Sequence, residues 1–136
     1  MNYRLSVGVD RPISKSCFVI EAQGEEISSK VMKMKSENIK KEILNTIALG
    51  LRSCKSVVKH EDSLIIDVQN RHLYQWLTEG IDYKGYEKEL DDVYLTLDTV
   101  DCKYRFVFNE NPYAKLYLKK HKVNQLEGSN IRDMFE

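Results

Sequence analysis

The chain has 136 residues, of which 42% are hydrophobic, which is enough for one domain of ordinary size with its own core. Its 21 basic and 21 acidic residues cancel, so no global charge attracts nucleic acid or a membrane surface, and any polyanion site must be local. The three cysteines lack zinc-ligand spacing, and no segment approaches the ~20 apolar residues of a membrane span. We therefore expect a reduced, cytoplasmic globular protein.

The first part of the chain has the period-two hydrophobic pattern of β-strands. Apolar and polar residues alternate from Tyr3 to Asp10, where Arg11-Pro12 ends the strand. Two further strands, from Cys17 to Ala22 and from Glu26 to Met34, are joined through the turn residues Gln23-Gly24. Three consecutive strands of this kind predict an antiparallel meander.

The period then changes to that of a helix. An i, i+4 apolar stripe runs from Ile39 to Leu51, with Ser36 as the expected N-cap and Glu37 as the first-turn acid. The apolar run from Ser63 to Asp67 has the length of a buried strand, and a helix from Arg71 to Glu79 follows it, closed by a C-cap glycine. Trp76 lies on the apolar side of that helix, so we expect it in the core and not as a base-stacking platform.

The remaining elements are a helix along Tyr86 to Leu97, a strand over 103–108 and a last helix that opens at Asn111-Pro112. This order predicts an α/β (α+β mixed) fold: a five-stranded mixed sheet with helices on both faces. Periodicity weakens toward the end of the chain. We therefore expect a domain over 1–122 and a C-terminal extension over 123–136.

Three acids are candidates for chemistry. Asp10 and Asp67 each end an apolar strand, and Glu42 lies beside the buried stripe of the first helix. If the first and fourth strands are neighbours, the two aspartates face one crevice, and the cluster would need cations to neutralise it. Hard carboxylate oxygens suit Mg²⁺ or Mn²⁺, and two such ions about 4 Å apart stabilise a phosphodiester displacement. The candidate reaction is metal-assisted phosphodiester hydrolysis.

Structural interpretations compete with this chemistry. Taken singly, Asp10 is typical of a turn residue, Glu42 of a solvated helix surface and Asp67 of a helix cap. The basic residues of the last helix are typical of a favourable helix C-terminus, but they also suit a phosphate-tracking edge. These residues are Lys115, Lys119, Lys120, His121 and Lys122.

The element order and four segments resemble the ribonuclease H family. The segments are the first strand ending in Asp10, "GEEISSKV" after a hairpin, "NIKKEI" opening the first helix, and "IIDVQN" on the fourth strand. The resemblance covers roughly residues 3–120. It implies that Asp10, Glu42 and Asp67 are metal ligands. It also implies that the residues opening the first helix meet nucleic acid, namely Asn38 with Lys40 or Lys41 toward phosphate.

The sequence departs from the family pattern in two places. Arg11-Pro12 follows Asp10 where the family has a glycine, and the fourth carboxylate, expected in the first turns of the last helix, falls near Ala114 and Lys115. Glu110, in the preceding loop, is the alternative fourth ligand. Lys115 is a candidate to place its charge where a second metal would lie, or to contact nucleic acid.

Three hypotheses follow. The first is a metal-dependent endonuclease that uses Mg²⁺ or Mn²⁺, most plausibly on the RNA strand of an RNA-DNA hybrid; the hybrid preference comes from the resemblance alone. The second is a non-catalytic module of the same fold that binds nucleic acid or a protein partner. It is favoured by the missing fourth acid and the zero net charge. The third is an α+β domain whose acids never meet.

Overall fold

The computed structural model describes residues 1–120, so the predicted extension over 123–136 lies outside the described part of the chain. Five strands form one sheet in the order β3-β2-β1-β4-β5. In chain order, the elements are β1 (Asn2–Asp10), β2 (Lys15–Ala22), β3 (Glu25–Lys33), α1 (Ile39–Cys54), β4 (Ser63–Val68), α2 (Arg71–Glu79), α3 (Glu87–Thr99), β5 (Lys103–Phe108) and α4 (residues 113–120).

The central strand β1 joins the two halves of the sheet. It pairs antiparallel with β2 and parallel with β4, while β2 pairs antiparallel with β3 and β4 pairs parallel with β5. The switch from hairpins to parallel crossovers occurs where α1 carries the chain from one edge of the meander to the far side of β1. The predicted five-stranded mixed sheet with helices on both faces is therefore confirmed.

Alternating side chains give the sheet two covered faces. On the inner face, apolar residues of β1, β2 and β4 pack against α1, α2 and α3, and Trp76 is buried in this core as predicted. On the other face, which we call the α4 face, Cys17 and Val19 pack against Ala114 and Leu118. The last helix thus covers the meander half of the sheet.

Helix α1 begins two residues later than its sequence predicted. Asn38 is the N-cap, since its Oδ1 accepts a hydrogen bond from the Lys41 amide at 3.2 Å. The predicted cap, Ser36, instead accepts from the Asn38 amide through its side-chain hydroxyl. Helix α2 ends as predicted, with Gly80 in the left-handed conformation at φ 69°.

Helix α4 approaches the backbone of β1 very closely at Gly8. A Cβ atom added there would lie 2.7 Å from the Ala114 carbonyl carbon and 2.8 Å from the Lys115 amide nitrogen. Two hydrogen bonds hold the same contact: the Ala114 amide donates to Ser6 Oγ at 2.7 Å, and the Cys17 thiol donates to the Ala114 carbonyl at 3.3 Å. A glycine is therefore required where the helix crosses the strand.

Two findings bear on the predicted cellular setting. All three cysteines are free thiols, and burial raises the pKa of Cys17 and of Cys54 to about 12. Within residues 1–120, none of the helices combines the length and the apolar composition that crossing a membrane requires. The cytoplasmic location stays a prediction.

We predict that Gly8→Ala lowers the free energy of unfolding by about 1–3 kcal/mol, because the added methyl group meets rigid helix backbone and not a flexible side chain. Thermal and urea denaturation measure this change. At a strand position with free space, replacing glycine by alanine stabilises the strand. A loss of stability at Gly8 would therefore be due to the close contact with α4. An unchanged or raised midpoint would show that α4 does not pack on Gly8.

Candidate functional site

The register between β1 and β4 decides which residues flank Asp67. The parallel pairing runs from Asn2 opposite Ser63 to Leu5 opposite Ile66, which places Ser6 level with Asp67. Asp10 is four residues further along β1, or about 13 Å at the rise of a strand. The strands are neighbours and both aspartates point to the α4 face, but the register keeps their carboxylates apart.

Asp67 is buried and paired with an arginine. Its side chain is 1% exposed, and Arg4 Nη1 lies 3.1 Å from Oδ1 and 3.2 Å from Oδ2. Burial raises the pKa of Asp67, while the Arg4 guanidinium and a hydrogen bond from Asn109 act in the opposite direction. The carboxylate therefore has no side exposed to solvent.

The position level with Asp67 on β1 and the first turn of α4 beside it carry neutral side chains. Ser6 is fully buried, and its hydroxyl oxygen accepts from the Ala114 amide at the start of α4. Ala114, near which the fourth carboxylate was expected, is also fully buried and has no polar side-chain atom. The crevice beside β1 is therefore filled by the first turn of α4.

Glu42 organises the loop that precedes its own helix. Its Oε1 accepts from the amides of Lys35 at 2.9 Å and Ser36 at 3.0 Å, and its Oε2 accepts from the Ser16 hydroxyl at 3.0 Å. The residue is 4% exposed and sits on the inner-face side of the sheet, since Ser16 alternates with Cys17 on the α4 face. Both oxygens are thus occupied by donors within the domain.

The residues expected to touch nucleic acid at α1 already have partners. Asn38 caps the helix and donates through Nδ2 to the Tyr86 hydroxyl at 3.2 Å. Lys40 lies 5.5 Å from the centre of the Trp76 ring, and Lys41 lies 3.9 Å from Glu89. These contacts are on the surface and exchange readily with solvent or ligand.

Neither of the two candidates near the last helix, Glu110 as a fourth ligand and Lys115 as a cation, forms an ion pair with Asp67. Glu110 is exposed in the loop between β5 and α4, and it forms no ion pair within residues 1–120. Lys115 is half-buried in the first turn of α4, where its amide donates to the Pro112 carbonyl. It is Arg4, and not Lys115, whose cation contacts Asp67. His121 and Lys122 lie outside the described residues.

One cationic surface was not predicted. The turn after β1 and the loop after β3 enclose a concavity of about 510 Å³, which we call the basic rim. Its cations are Arg11, Lys33 and Lys35, all exposed, and Ser14, Met34, Ser36 and Glu37 complete the lining. An antiparallel meander brings the end of β1 and the end of β3 to the same end of the sheet. The basic residues that follow or end these two strands were therefore the signal in the sequence for this surface.

The residues that the structure brings together do not fit the predicted metal centre. A magnesium or manganese site needs carboxylate oxygens that face one another and are free to coordinate. Here Asp67 is bound by a guanidinium, Glu42 by three donors, and Asp10 lies further along β1. In the part of the chain that the structure describes, no three His, Cys, Asp or Glu side chains are grouped to hold a metal. The assignment of Asp10, Glu42 and Asp67 as metal ligands stays a prediction, and it requires these side chains to be arranged differently.

We predict that Glu42→Gln and Asp10→Asn differ in their effect on stability. Glu42→Gln replaces one of two accepting oxygens with a donor that faces buried donors, which should cost about 1–3 kcal/mol. Asp10→Asn should stay within about 0.5 kcal/mol, because the half-buried Asp10 side chain forms no hydrogen bond within residues 1–120. Urea denaturation of both variants measures the difference. Equal effects would show that the Glu42 contacts do not stabilise the loop.

Comparison with known proteins identifies the fold through solved structures, without a match to a family model. No family model matches the sequence, and no curated protein has significant sequence similarity to it. Among solved structures, RNase H1 from Halobacterium salinarum NRC-1 is 10% identical, with a TM-score of 0.61 over 79% of this chain and 83% of that one. The N-terminal RNase H domain of a Mycobacterium tuberculosis protein is 9% identical, with a TM-score of 0.62 over 83% and 87%.

A third structure, LC11-RNase H1 in complex with an RNA/DNA hybrid, is 11% identical, with a TM-score of 0.55 over 79% of this chain and 83% of that one. At such low identity the likeness shows the fold alone. It agrees with the strand order, the crossover through α1 and the last helix on the opposite face. The chain therefore has the ribonuclease H fold.

Proposed function

We propose that the protein is a non-catalytic module of the ribonuclease H fold that binds the phosphate backbone of nucleic acid at the basic rim. The observation that carries this proposal is the convergence of exposed Arg11, Lys33 and Lys35 around one concavity. The chain as a whole has a formal charge of zero, so this concentration of cations is local and not a property of the whole surface. Phosphate contacts of this kind supply most non-specific affinity for nucleic acid.

Two acids neighbour the cations of the rim, Glu37 in its lining and Asp10 opposite Lys15, but neither forms an ion pair with Arg11, Lys33 or Lys35. Within residues 1–120, none of the three exposed cations lies within ion-pair distance of a carboxylate. Lys33 also stands directly opposite Lys15 across the β2–β3 pairing. Like charges in this position are destabilising, and a bound polyanion would relieve the repulsion. The rim is thus better matched to an anionic ligand than to solvent.

The geometry of the rim is held by buried contacts. Glu42 fixes the Lys35 and Ser36 amides, and the Met34 amide donates to the Ser14 carbonyl at 2.8 Å, which ties the loop to the β1–β2 turn. Ser14 has a φ of 52°, a conformation that tight turns impose on few residues other than glycine. In this proposal Glu42 is a positioning residue for the cationic loop.

The surface next to the rim extends the proposed contact. Asn38, Lys40 and Lys41 follow the rim directly in sequence, and in this proposal they exchange their present partners for phosphate or sugar groups. Lys115, in the first turn of α4, is a further candidate for such a contact. Since one structure of this fold is a complex with an RNA/DNA hybrid, the hybrid is the first ligand to test. A protein of this fold would read backbone shape rather than base sequence.

We predict salt-dependent binding of a fluorescent RNA-DNA hybrid, unchanged by EDTA, in fluorescence anisotropy between about 50 and about 200 mM salt. The double variant Lys33→Gln/Lys35→Gln should reduce the salt slope by about 2, one for each lost phosphate contact. Lys55→Gln/Lys59→Gln is the matched control, because these exposed lysines follow the far end of α1, about 24 Å away.

Two results would contradict the rim proposal. Equal weakening by both double variants would indicate a diffuse charge effect without a site. Absence of binding to the hybrid, duplex DNA, duplex RNA and single strands would favour the alternative in which the module binds a protein partner.

The second candidate function is Mg²⁺- or Mn²⁺-dependent hydrolysis of RNA-DNA hybrids, with Asp10, Glu42 and Asp67 as ligands. It is favoured by the fold itself and by the positions of Asp67 at the end of β4 and Glu42 on α1. It requires Asp67 to leave Arg4 and Glu42 to leave three donors, which the compact packing around Ser6 and Ala114 opposes.

We predict that a labelled hybrid stays intact with either metal ion, because among residues 1–120 no set of free carboxylates meets beside the strand ends. Gel analysis of hybrid, duplex DNA and single strands after incubation with Mg²⁺ or Mn²⁺ tests this, with Asp67→Asn in parallel. Cleavage by the unmodified protein that is lost in Asp67→Asn would establish the nuclease and refute the non-catalytic assignment. Cleavage that is equal in both would identify a contaminating nuclease, since Asp67 is central to the predicted mechanism.

A further inference from the structure

Asp67 is a carboxylate at a depth where charge is costly. With 1% of its side chain exposed, it has lost its hydration, and an isolated ionised group in that position is strongly unfavourable. A carboxylate stays charged in such a place only if a cation and hydrogen-bond donors replace the water. The structure supplies the cation within the domain, since Arg4 Nη1 contacts both carboxylate oxygens, and the nearby Asn109 side chain also acts to lower the pKa of Asp67.

Arg4 reaches Asp67 because of its place on β1. It is opposite Ile65 on β4, two residues before Asp67 on the same face of the sheet, so its long side chain extends along the strand to the carboxylate. One guanidinium nitrogen contacts both oxygens, at 3.1 and 3.2 Å. The guanidinium is permanently charged and weakly hydrated, which suits a partly buried pair better than a lysine would.

A second acid lies on the other side of Arg4. Glu21 is its direct cross-strand partner on β2, and its pKa is raised by burial and lowered by the neighbouring Arg4 charge. Three adjacent strands thus present carboxylate, guanidinium and carboxylate in a row on the α4 face. The cation is central to this row.

One further acid extends this row, because Glu26 on β3 is the cross-strand partner of Glu21 and its charge also raises the pKa of Glu21. Ser6, level with Asp67, is bonded to the Ala114 amide, and the α4 turn brings no carboxylate to the site. The negative charge of Asp67, which the resemblance would pair with divalent cations, is therefore neutralised differently here. It is neutralised by Arg4, a side chain of the protein itself.

We propose that Arg4 is the built-in counter-ion of Asp67 and replaces the divalent cation that this position of the fold would otherwise take. The domain then needs no metal ion to hold Asp67 in its folded state. This proposal is independent of nucleic-acid binding at the basic rim, because its readouts are folding and metal binding.

Four proteins test the proposal: the unmodified chain, Arg4→Met, Asp67→Asn and the double variant. Methionine keeps an unbranched apolar stem like that of the arginine while removing the guanidinium and its charge. Arg4→Met should lower the Tm by about 10 °C or more, because it leaves an unpaired buried carboxylate. Adding Asp67→Asn should restore most of that loss, since the amide carries no charge that needs a counter-ion.

An exposed ion pair provides the matched control. Arg52 and Asp92 lie 2.6 Å apart with side chains 48% and 41% exposed. Arg52→Met, Asp92→Asn and their double variant should change the Tm by no more than a few degrees and show no rescue. The comparison separates loss of a buried counter-ion from loss of any arginine.

Metal binding is measured on the same proteins by electron paramagnetic resonance of free Mn²⁺ and by the Tm with and without Mn²⁺. The unmodified protein and Asp67→Asn should behave alike in both measurements. Stoichiometric Mn²⁺ binding that disappears in Asp67→Asn would overturn the proposal, because the metal would then be the counter-ion.

The thermal data have their own contradicting outcomes. If Arg4→Met and Asp67→Asn are additive, without rescue in the double variant, the pair does not neutralise Asp67. If Arg4→Met fails to fold, the double variant decides: a folded double variant with a Tm near that of Asp67→Asn supports the proposal. Failure of the double variant where Asp67→Asn folds refutes it.

Discussion

The parallel register between β1 and β4 is the constraint on which the rest of the structure depends. With Leu5 opposite Ile66, the residue level with Asp67 is Ser6, and Arg4 stands two positions behind it on the same face. The ion pair between Arg4 and Asp67, the neutral hydroxyl at Ser6 and the distance to Asp10 all follow from this single alignment. A shift of the register would change each of these neighbours together.

The packing of α4 against β1 is the second constraint on the surroundings of Asp67. Its first turn lies against Gly8 so closely that no side chain fits between strand and helix, and the Ala114 amide is satisfied by Ser6. In open mixed sheets the crevice beside the switch in strand order is the usual place for a ligand. Here the backbone of α4 and Ser6 occupy that crevice, and the basic rim at the end of the meander is the concavity in which we propose that a ligand binds.

Glu42 illustrates why a shared fold does not determine activity. It stands on the expected helix and is buried as a functional acid would be, but its oxygens accept from the Lys35 and Ser36 amides and from Ser16. The carboxylate thereby holds the loop that carries Lys35, one of the three cations of the rim. The same residue type in the same element serves a structural end, because its neighbours are donors and not other acids.

The sequence by itself determined the order and type of the elements, the mixed sheet, the burial of Trp76 and the C-cap at Gly80, because these depend on local periodicity and turn chemistry. It did not determine the N-cap of α1, since Ser36 and Asn38 are equally suitable caps and only the Glu42 contacts with the preceding loop decide between them.

Nor did it determine whether the acids meet. Sliding β1 by two or four residues leaves every side chain on its own face, so the alternating pattern is equally compatible with Ser6, Gly8 or Asp10 beside Asp67. Only the packing of the whole domain, with α4 against Gly8 and Arg4 against Asp67, selects one of these registers. Local patterns specify which face a residue occupies, and tertiary contacts specify its neighbours on that face.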